Sequence, residues 1–209
     1  MKIRIENLCK NFKQEHVLKN ITIEFEPGNI YGLVGKNGSG KTVLFKCMIG
    51  LLKPTSGKIF YDNEQLGENM DFAPNTGFII ETPGFLPQYT GYKNLKYLAN
   101  IQNIIDDEDI IKAIELVGLD AKSKKRVGKY SLGMRQRLGI AQAIMENPQV
   151  LILDEPMNGL DQEGIEEVKQ LLISLKNQGK TIILASHYLE DMEICDIVYG
   201  MEHGNITKR

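Results

Sequence analysis

The chain has 209 residues, 42% of them hydrophobic and 25% charged, which suits one globular domain with a sizeable core. Its 25 basic and 27 acidic side chains leave a net charge of −2, which excludes a global electrostatic footprint for nucleic acid. No apolar run approaches the roughly 20 residues that cross a bilayer, and Cys9, Cys47 and Cys195 are spaced too widely for a metal site, so they are expected as buried thiols of a reducing compartment.

Apolar and polar residues alternate from Ile3, which reads as a strand rather than a signal peptide. ITIEFEPG alternates Ile21, Ile23 and Phe25 with polar residues until Pro27-Gly28 breaks the pattern. IYGLV (30–34) is a short apolar run, and GKNGSGKT (35–42) follows it. That octet satisfies G-x-x-x-x-G-K-[ST] at every fixed position, between a strand and the helix-compatible KTVLFKCMIG. Gly35, Gly38 and Gly40 let the backbone curl so that successive N–H groups, those of Lys36, Asn37 and Ser39 among them, face a phosphate. Lys41 would reach the β- and γ-phosphates, and the Thr42 hydroxyl would ligate Mg²⁺.

KIFYDN (58–63) reads as another strand closed by a turn. The segment 84–146 shows no convincing strand and carries helical patterns after Thr90, after Asp106 and after Ser131. The basic run KSKKR (122–126) reads as a solvated loop, with contact to anionic lipid headgroups as the alternative. In YSLGMRQRLGIAQAI, Ser131 is placed as an N-cap and Met134, Leu138, Ala141 and Met145 repeat at helical spacing before Pro148. Ser131 with Gly133 could equally present an open helix N-terminus to an anion, and the stretch by itself does not choose between the two.

VLILDE (150–155) and TIILASH (181–187) are apolar without alternation, as strands buried on both faces of a parallel sheet must be. Between them Asp161 can cap a helix whose stripe is Ile165, Val168, Leu172 and Leu175, ending before Gly179. This strand–helix–strand unit predicts an α/β core. The first strand delivers Asp154 and Glu155 to its carboxyl edge, where such sheets bind ligands: Asp154 to hold Mg²⁺ through water, Glu155 to polarise a water attacking the γ-phosphate. His187 would emerge on the same edge as a donor toward that phosphate.

Taken in order, these motifs resemble the nucleotide-binding domain of ATP-binding cassette (ABC) transporters over nearly the whole chain. In family terms GKNGSGKT is the Walker A loop, VLILDE Walker B, YSLGMRQR the signature, NGLD (158–161) the D-loop and His187 the switch histidine. The resemblance implies a P-loop NTPase (RecA-like) parallel-sheet core with an N-terminal antiparallel β part and an inserted helical subdomain. The expected division is one domain, 1–209, with 1–83 and 147–209 as the catalytic core and 84–146 as the helical part carrying the signature. It also implies that Phe12 stacks on adenine, with Val17 beside it, and that Ser131 and Gly133 cap the γ-phosphate of ATP held by a second subunit. Ser131 would then cap its own helix in the free monomer and the partner's nucleotide in the dimer.

Two departures stand out. The usual signature L-S-G-G-Q is Tyr130-Ser131-Leu132-Gly133-Met134 here, and Glu81 stands where a glutamine is customary. Glutamine can both accept and donate, whereas an ionised glutamate only accepts, so Glu81 could still contact Mg²⁺ but would face the γ-phosphate with a like charge. Both departures resemble bacterial ATPases of bacitracin-resistance and lantibiotic self-protection exporters, and the chain is expected to lack the C-terminal extension of some relatives. The implied protein binds ATP and Mg²⁺, dimerises with a second ATPase subunit and drives a separate membrane-spanning permease from the cytoplasmic face, with no nucleic acid involved. The alternative is a regulatory or non-exporter ABC ATPase. A translation regulator of this family usually has two cassettes, and a DNA-repair relative would split its motifs around a coiled coil; neither pattern is present.

Overall fold

The computed structural model describes all 209 residues. Strands β1 (Ile3–Phe12), β2 (Glu15–Phe25) and β3 (Ile30–Val34) precede helix α1 (Lys41–Met48), then β4 (Ser56–Tyr61), the two-residue β5 (Glu64–Gln65) and β6 (Thr76–Ile79). Three helices follow, α2 (Gly91–Gln102), α3 (Asp107–Leu116) and α4 (Leu132–Ile144). The chain closes with β7 (Val150–Asp154), α5 (Gln162–Asn177), β8 (Thr181–Ser186), a 3₁₀ turn (Glu190–Ile194), β9 (Ile197–Glu202) and β10 (Asn205–Lys208).

These strands build two sheets. An antiparallel sheet has the order β2-β1-β4-β5, with Ile5 opposite both Ile23 and Ile59. A six-stranded sheet has the order β10-β9-β3-β8-β7-β6, parallel throughout except for β10. The apolar runs of β7 and β8 are buried on both faces, as predicted. Leu151, Leu153, Ile182 and Leu184 point into one core beneath the helices, while Val150, Ile152, Ile183 and Ala185 point into a second core shared with α1 and the antiparallel sheet. Alternation places the two sets on opposite faces, so one sheet fills two cores.

Each helix predicted from a capping residue starts at that residue. Thr90 accepts from the Lys93 N–H, Ser131 from Met134 and Asp161 from Gly164, and Asp106 forms a capping box with Asp109. Along α5, Val168, Leu172 and Leu175 are buried and Ile165 half-buried, and Gly179 follows with φ +87°. Helix α4 buries a broader face than its predicted stripe, because it lies against both β6 and α3; a Cβ on Gly77 would sit 1.8 Å from the Ala143 carbonyl.

Strands β6, β9 and β10 are not evident from the sequence pattern. β6 and β10 have four residues each and the six of β9 mix apolar and polar side chains, so none of the three shows strict alternation or a continuous apolar run. A second correction concerns the cysteines. All three are free, but only Cys47 is buried; Cys9, within β1, and Cys195, between the 3₁₀ turn and β9, are half-buried.

Candidate active site

Five buried residues carry β3 to its carboxyl end, where Gly35 begins the glycine-rich loop. A Cβ on Gly35 would lie 2.3 Å from the Met201 carbonyl oxygen, so β9 packs against the loop too closely for any side chain there. Gly38 and Gly40 take φ of +78° and +109°, values that favour glycine. The N-terminus of α1 has no side-chain cap, so its first N–H groups stay open toward the loop. Within the loop the Ser39 hydroxyl is buried without a hydrogen-bond partner, an orphan that a phosphate oxygen would satisfy. A tri- or diphosphate therefore fits this cradle on the chain's own geometry.

The Lys41 ammonium is 5% exposed and donates to the Gly35 carbonyl at 2.6 Å and the Lys36 carbonyl at 3.4 Å, so it spans the loop from within. The next residue reaches across the sheet: Thr42 Oγ1 donates to Asp154 Oδ2 at 2.6 Å. Burial holds the Asp154 carboxyl above its ordinary value, aided by the nearby charges of Glu155 and Glu81, while the Thr42 hydrogen bond and Lys41 oppose the rise. No three His, Cys, Asp or Glu side chains converge on one point. A magnesium ion at Thr42 and Asp154 would therefore draw its remaining oxygens from phosphate and water, as this reluctantly dehydrated ion does elsewhere.

Glu155 lies one residue beyond β7 with φ +51°. Of the ten non-glycine residues with positive φ, six are Asn or Asp, which tolerate it; Glu155 and Glu81 are not, and each costs of order 1 kcal/mol. The strained turn aims the Glu155 carboxylate at His187, whose Nδ1 lies 3.0 Å from both of its oxygens. Because a carboxylate only accepts, Nδ1 carries the proton in this pair and Nε2 is left as an acceptor. Lys41 Nζ is 3.9 Å from Glu155 Oε1. Three predicted residues far apart in sequence thus meet in one cluster.

This cluster borders a cleft of about 490 Å³ lined by the loop from Asn37 to Thr42 together with Val17, Glu81, Asp154 and Glu155. Lys36 lines the loop's other side with Gly35. Phe12 is not on the cleft wall. It is exposed at the end of β1, opposite Glu15, with the Lys10 ammonium 5.0 Å from its ring centre. Glu81 lines the cleft, but its charge is matched: Lys46 from α1 donates to it at 2.7 Å. The repulsion expected from this glutamate is thereby offset.

Ser131 and Gly133 lie on a different cavity, with Gly159, Leu160 and Asp161. Within one chain Ser131 does what a cap does, accepting from the Met134 N–H at 3.1 Å. A Cβ on Gly133 would meet the Gly159 carbonyl at 2.9 Å, so the signature helix and the 158–161 loop are packed as one surface. Sequence reasoning missed Gln136, Lys46 and Ser186. The Gln136 amide, buried in α4, donates to the carbonyls of Glu155 and Pro156 at 3.0 and 3.1 Å and fixes the strained turn to the helix. A polar residue on the buried side of α4 was the available signal.

Comparison with known proteins agrees with this geometry. The family model described as ABC transporter matches residues 18–158. The chain is 47% identical over 205 residues to the uncharacterized ABC transporter ATP-binding protein YybJ of Bacillus subtilis, covering 98% of this chain and 94% of that protein. It is 43% identical over 209 residues to the bacitracin transport ATP-binding protein BcrA of Enterococcus faecalis, covering 99% of this chain and 68% of BcrA. Among solved structures, the ATP-binding cassette MJ0796 in a post-hydrolysis dimer with ADP and Pi superposes with a TM-score of 0.88 at 22% identity, over 99% of this chain and 98% of that one, a likeness of fold. A phosphate-cradling loop wired to a carboxylate–histidine pair, on this fold and in these relatives, makes the chain a member of the ABC transporter family, an ATPase of the kind that forms the ATP-binding subunit.

Proposed function

We propose that the chain powers a separate membrane permease by closing on ATP as a dimer and reopening after hydrolysis, in the service of export of, or protection against, a peptide antibiotic. The observation that carries the catalytic part is the cluster Lys41–Glu155–His187 beside the Thr42–Asp154 hydrogen bond. In this reading the backbone from Gly35 to Gly40 and the N-terminus of α1 hold the phosphates, with Lys36 and Asn37 contributing their N–H groups and Ser39 its unpartnered hydroxyl. Lys41 exchanges its loop carbonyls for the β- and γ-phosphates, and Val17 with the exposed Phe12 flanks the base.

Thr42, Asp154 and Glu81 are the residues that would hold Mg²⁺, which when bound neutralises charge on the β- and γ-oxygens. Glu155 takes a proton from the attacking water as that water's oxygen bonds to the γ-phosphorus and the bond to ADP breaks, a role for which 10²–10⁴-fold is typical. His187 holds Glu155 in place through its Nδ1–H, and donating to the phosphate as well requires a second proton, on Nε2. Ser131 and Gly133 complete the site of a second copy, which explains why one chain keeps them on a separate cavity. The segment 84–146 acts as a helical unit that, with the Glu81 loop, meets the permease. No helix is long and apolar enough to cross a membrane, so attachment to the inner face would come through that partner.

The peptide-antibiotic part rests on the likeness to BcrA. Its test is a strain lacking the gene, profiled against bacitracin and lantibiotics and complemented with wild type or Glu155→Gln. Sensitisation reversed only by wild type is expected; an unchanged susceptibility profile would remove this substrate class and leave the ATPase assignment standing.

A further inference from the structure

At the end of β8 the fully buried Ser186 hydroxyl lies between two carboxylates. Asp191, on the 3₁₀ turn and 8% exposed, takes a hydrogen bond from Ser186 Oγ at 2.5 Å. Glu155 Oε2 lies 3.3 Å from the same oxygen on the other side. The Tyr188 N–H donates to Ser186 Oγ at 3.1 Å. No cation pairs with Asp191: the nearby Lys169 ammonium is committed to Glu193 at 2.8 Å and to the Glu190 carbonyl at 3.1 Å.

A serine hydroxyl has one proton to give and two neighbours here that can only accept. We propose that Asp191 is a positioning residue for hydrolysis: by claiming the Ser186 proton it leaves Glu155 Oε2 free of a donor on that side, so that the lone pair remains open to the proton of the attacking water. The geometry assigns the proton to the nearer acceptor: Asp191 is in hydrogen-bond contact with Ser186 Oγ, whereas 3.3 Å to Glu155 is beyond the usual range for an O–H donor. Without an acceptor at 191 the hydroxyl turns toward Glu155 and occupies the position the water's proton must take. Ser186 has further work that does not depend on its proton: its oxygen receives the Tyr188 N–H, and its carbonyl receives the Gly35 N–H at 3.2 Å, so the histidine strand and the phosphate loop are joined at one residue. Asp191 touches neither nucleotide-binding group and acts only through Ser186.

This inference rests on Glu155 as the base, and the test separates the two. Steady-state ATPase of the purified chain at saturating MgATP is compared for Asp191→Leu, Ser186→Ala, the double variant and Glu155→Gln, each checked by thermal melting. Asp191→Leu keeps the branched shape but offers no acceptor; kcat should fall about tenfold, the size of one misplaced hydrogen bond, with KM little changed. The deciding comparison is epistatic. In the Ser186→Ala background no hydroxyl remains to misdirect, so adding Asp191→Leu should cost no further kcat, and replacing both partners by apolar groups of like shape is close to neutral for folding.

An Asp191→Leu loss that persists undiminished in the double variant assigns Asp191 a structural role and overturns the proposal. So does wild-type turnover of Asp191→Leu when Glu155→Gln is inactive. Normal turnover of Glu155→Gln would instead remove the base reading itself. If Asp191→Leu fails to fold, Asp191→Asn serves: its amide oxygen still accepts from Ser186, so a loss within about threefold is expected and tenfold or more overturns the proposal.

Discussion

Ser131→Ala separates the two jobs assigned to one hydroxyl. As a helix cap, Ser131 Oγ satisfies a single N–H, that of Met134, at an exposed position where water can replace it. Losing it should cost about 1 kcal/mol of stability, which for a domain of this size lowers Tm by roughly 2–4 °C. As a donor to the phosphate of a second subunit it makes a hydrogen bond to a charged group, typically worth 1.5–3 kcal/mol, so hydrolysis should fall about ten- to hundredfold. Melting curves and phosphate release on the same preparation read both quantities. A drop in Tm with kcat nearly intact would confine Ser131 to its own helix. The decisive version mixes two damaged chains, Lys41→Ala and Ser131→Arg. In their heterodimer both lesions fall on one composite site, and the other combines intact Lys41 and Ser131 from different molecules. ATPase activity absent from either homodimer should return in part. No recovery, with heterodimers confirmed, refutes the composite site provided one intact site turns over alone.

Further outcomes follow from individual contacts. Glu155→Gln should bind MgATP normally, hydrolyse it at least tenfold more slowly and accumulate as an ATP-bound dimer on gel filtration; near wild-type turnover would take away its role as base. Glu81→Gln breaks an ion pair in which Glu81 is exposed and Lys46 half-buried, so stability should change by less than about 1 kcal/mol, with ATPase within a few-fold of wild type and altered coupling to the permease; lost nucleotide binding in a titration of the isolated subunit would contradict this. Gly77→Ala forces a methyl into the Ala143 carbonyl and should cost about 3 kcal/mol or more in urea unfolding, whereas a cost under 1 kcal/mol would mean that α4 slides freely over β6. Burial pushes the Cys47 thiol up to about 11, so at pH 8 it should resist alkylation until the chain unfolds, and rapid labelling of the folded protein would show the α1 core to be open.

Much of this molecule is written in short-range rules. Thr90, Asp106, Ser131 and Asp161 cap the helices they precede because a cap is a contact between residues two or three apart. The loop from Gly35 to Thr42 and the doubly buried β7 and β8 are legible for the same reason: backbone freedom and burial pattern are local properties of the chain. The family resemblance added an order of motifs, and with it the expectation of a second subunit at Ser131.

What the sequence left open are pairings between segments that meet only on folding. Thr42 and Asp154 are 112 positions apart, and although motifs assign both to one Mg²⁺, their direct hydrogen bond at 2.6 Å is set only by the fold. Glu81 reads as a misplaced negative charge until α1 brings Lys46 to it from 35 positions away. Phe12 matches a motif by position, and only the fold shows that it stands exposed at the end of β1, outside the lining of the phosphate cleft. Ser186 and Asp191 are five residues apart and carry no motif, and they meet Glu155 only because the parallel sheet sets the end of β8 beside the end of β7. A strand's register fixes which side chains share its edge, and register is decided by two cores packing at once, a property of the whole fold rather than of any stretch of it.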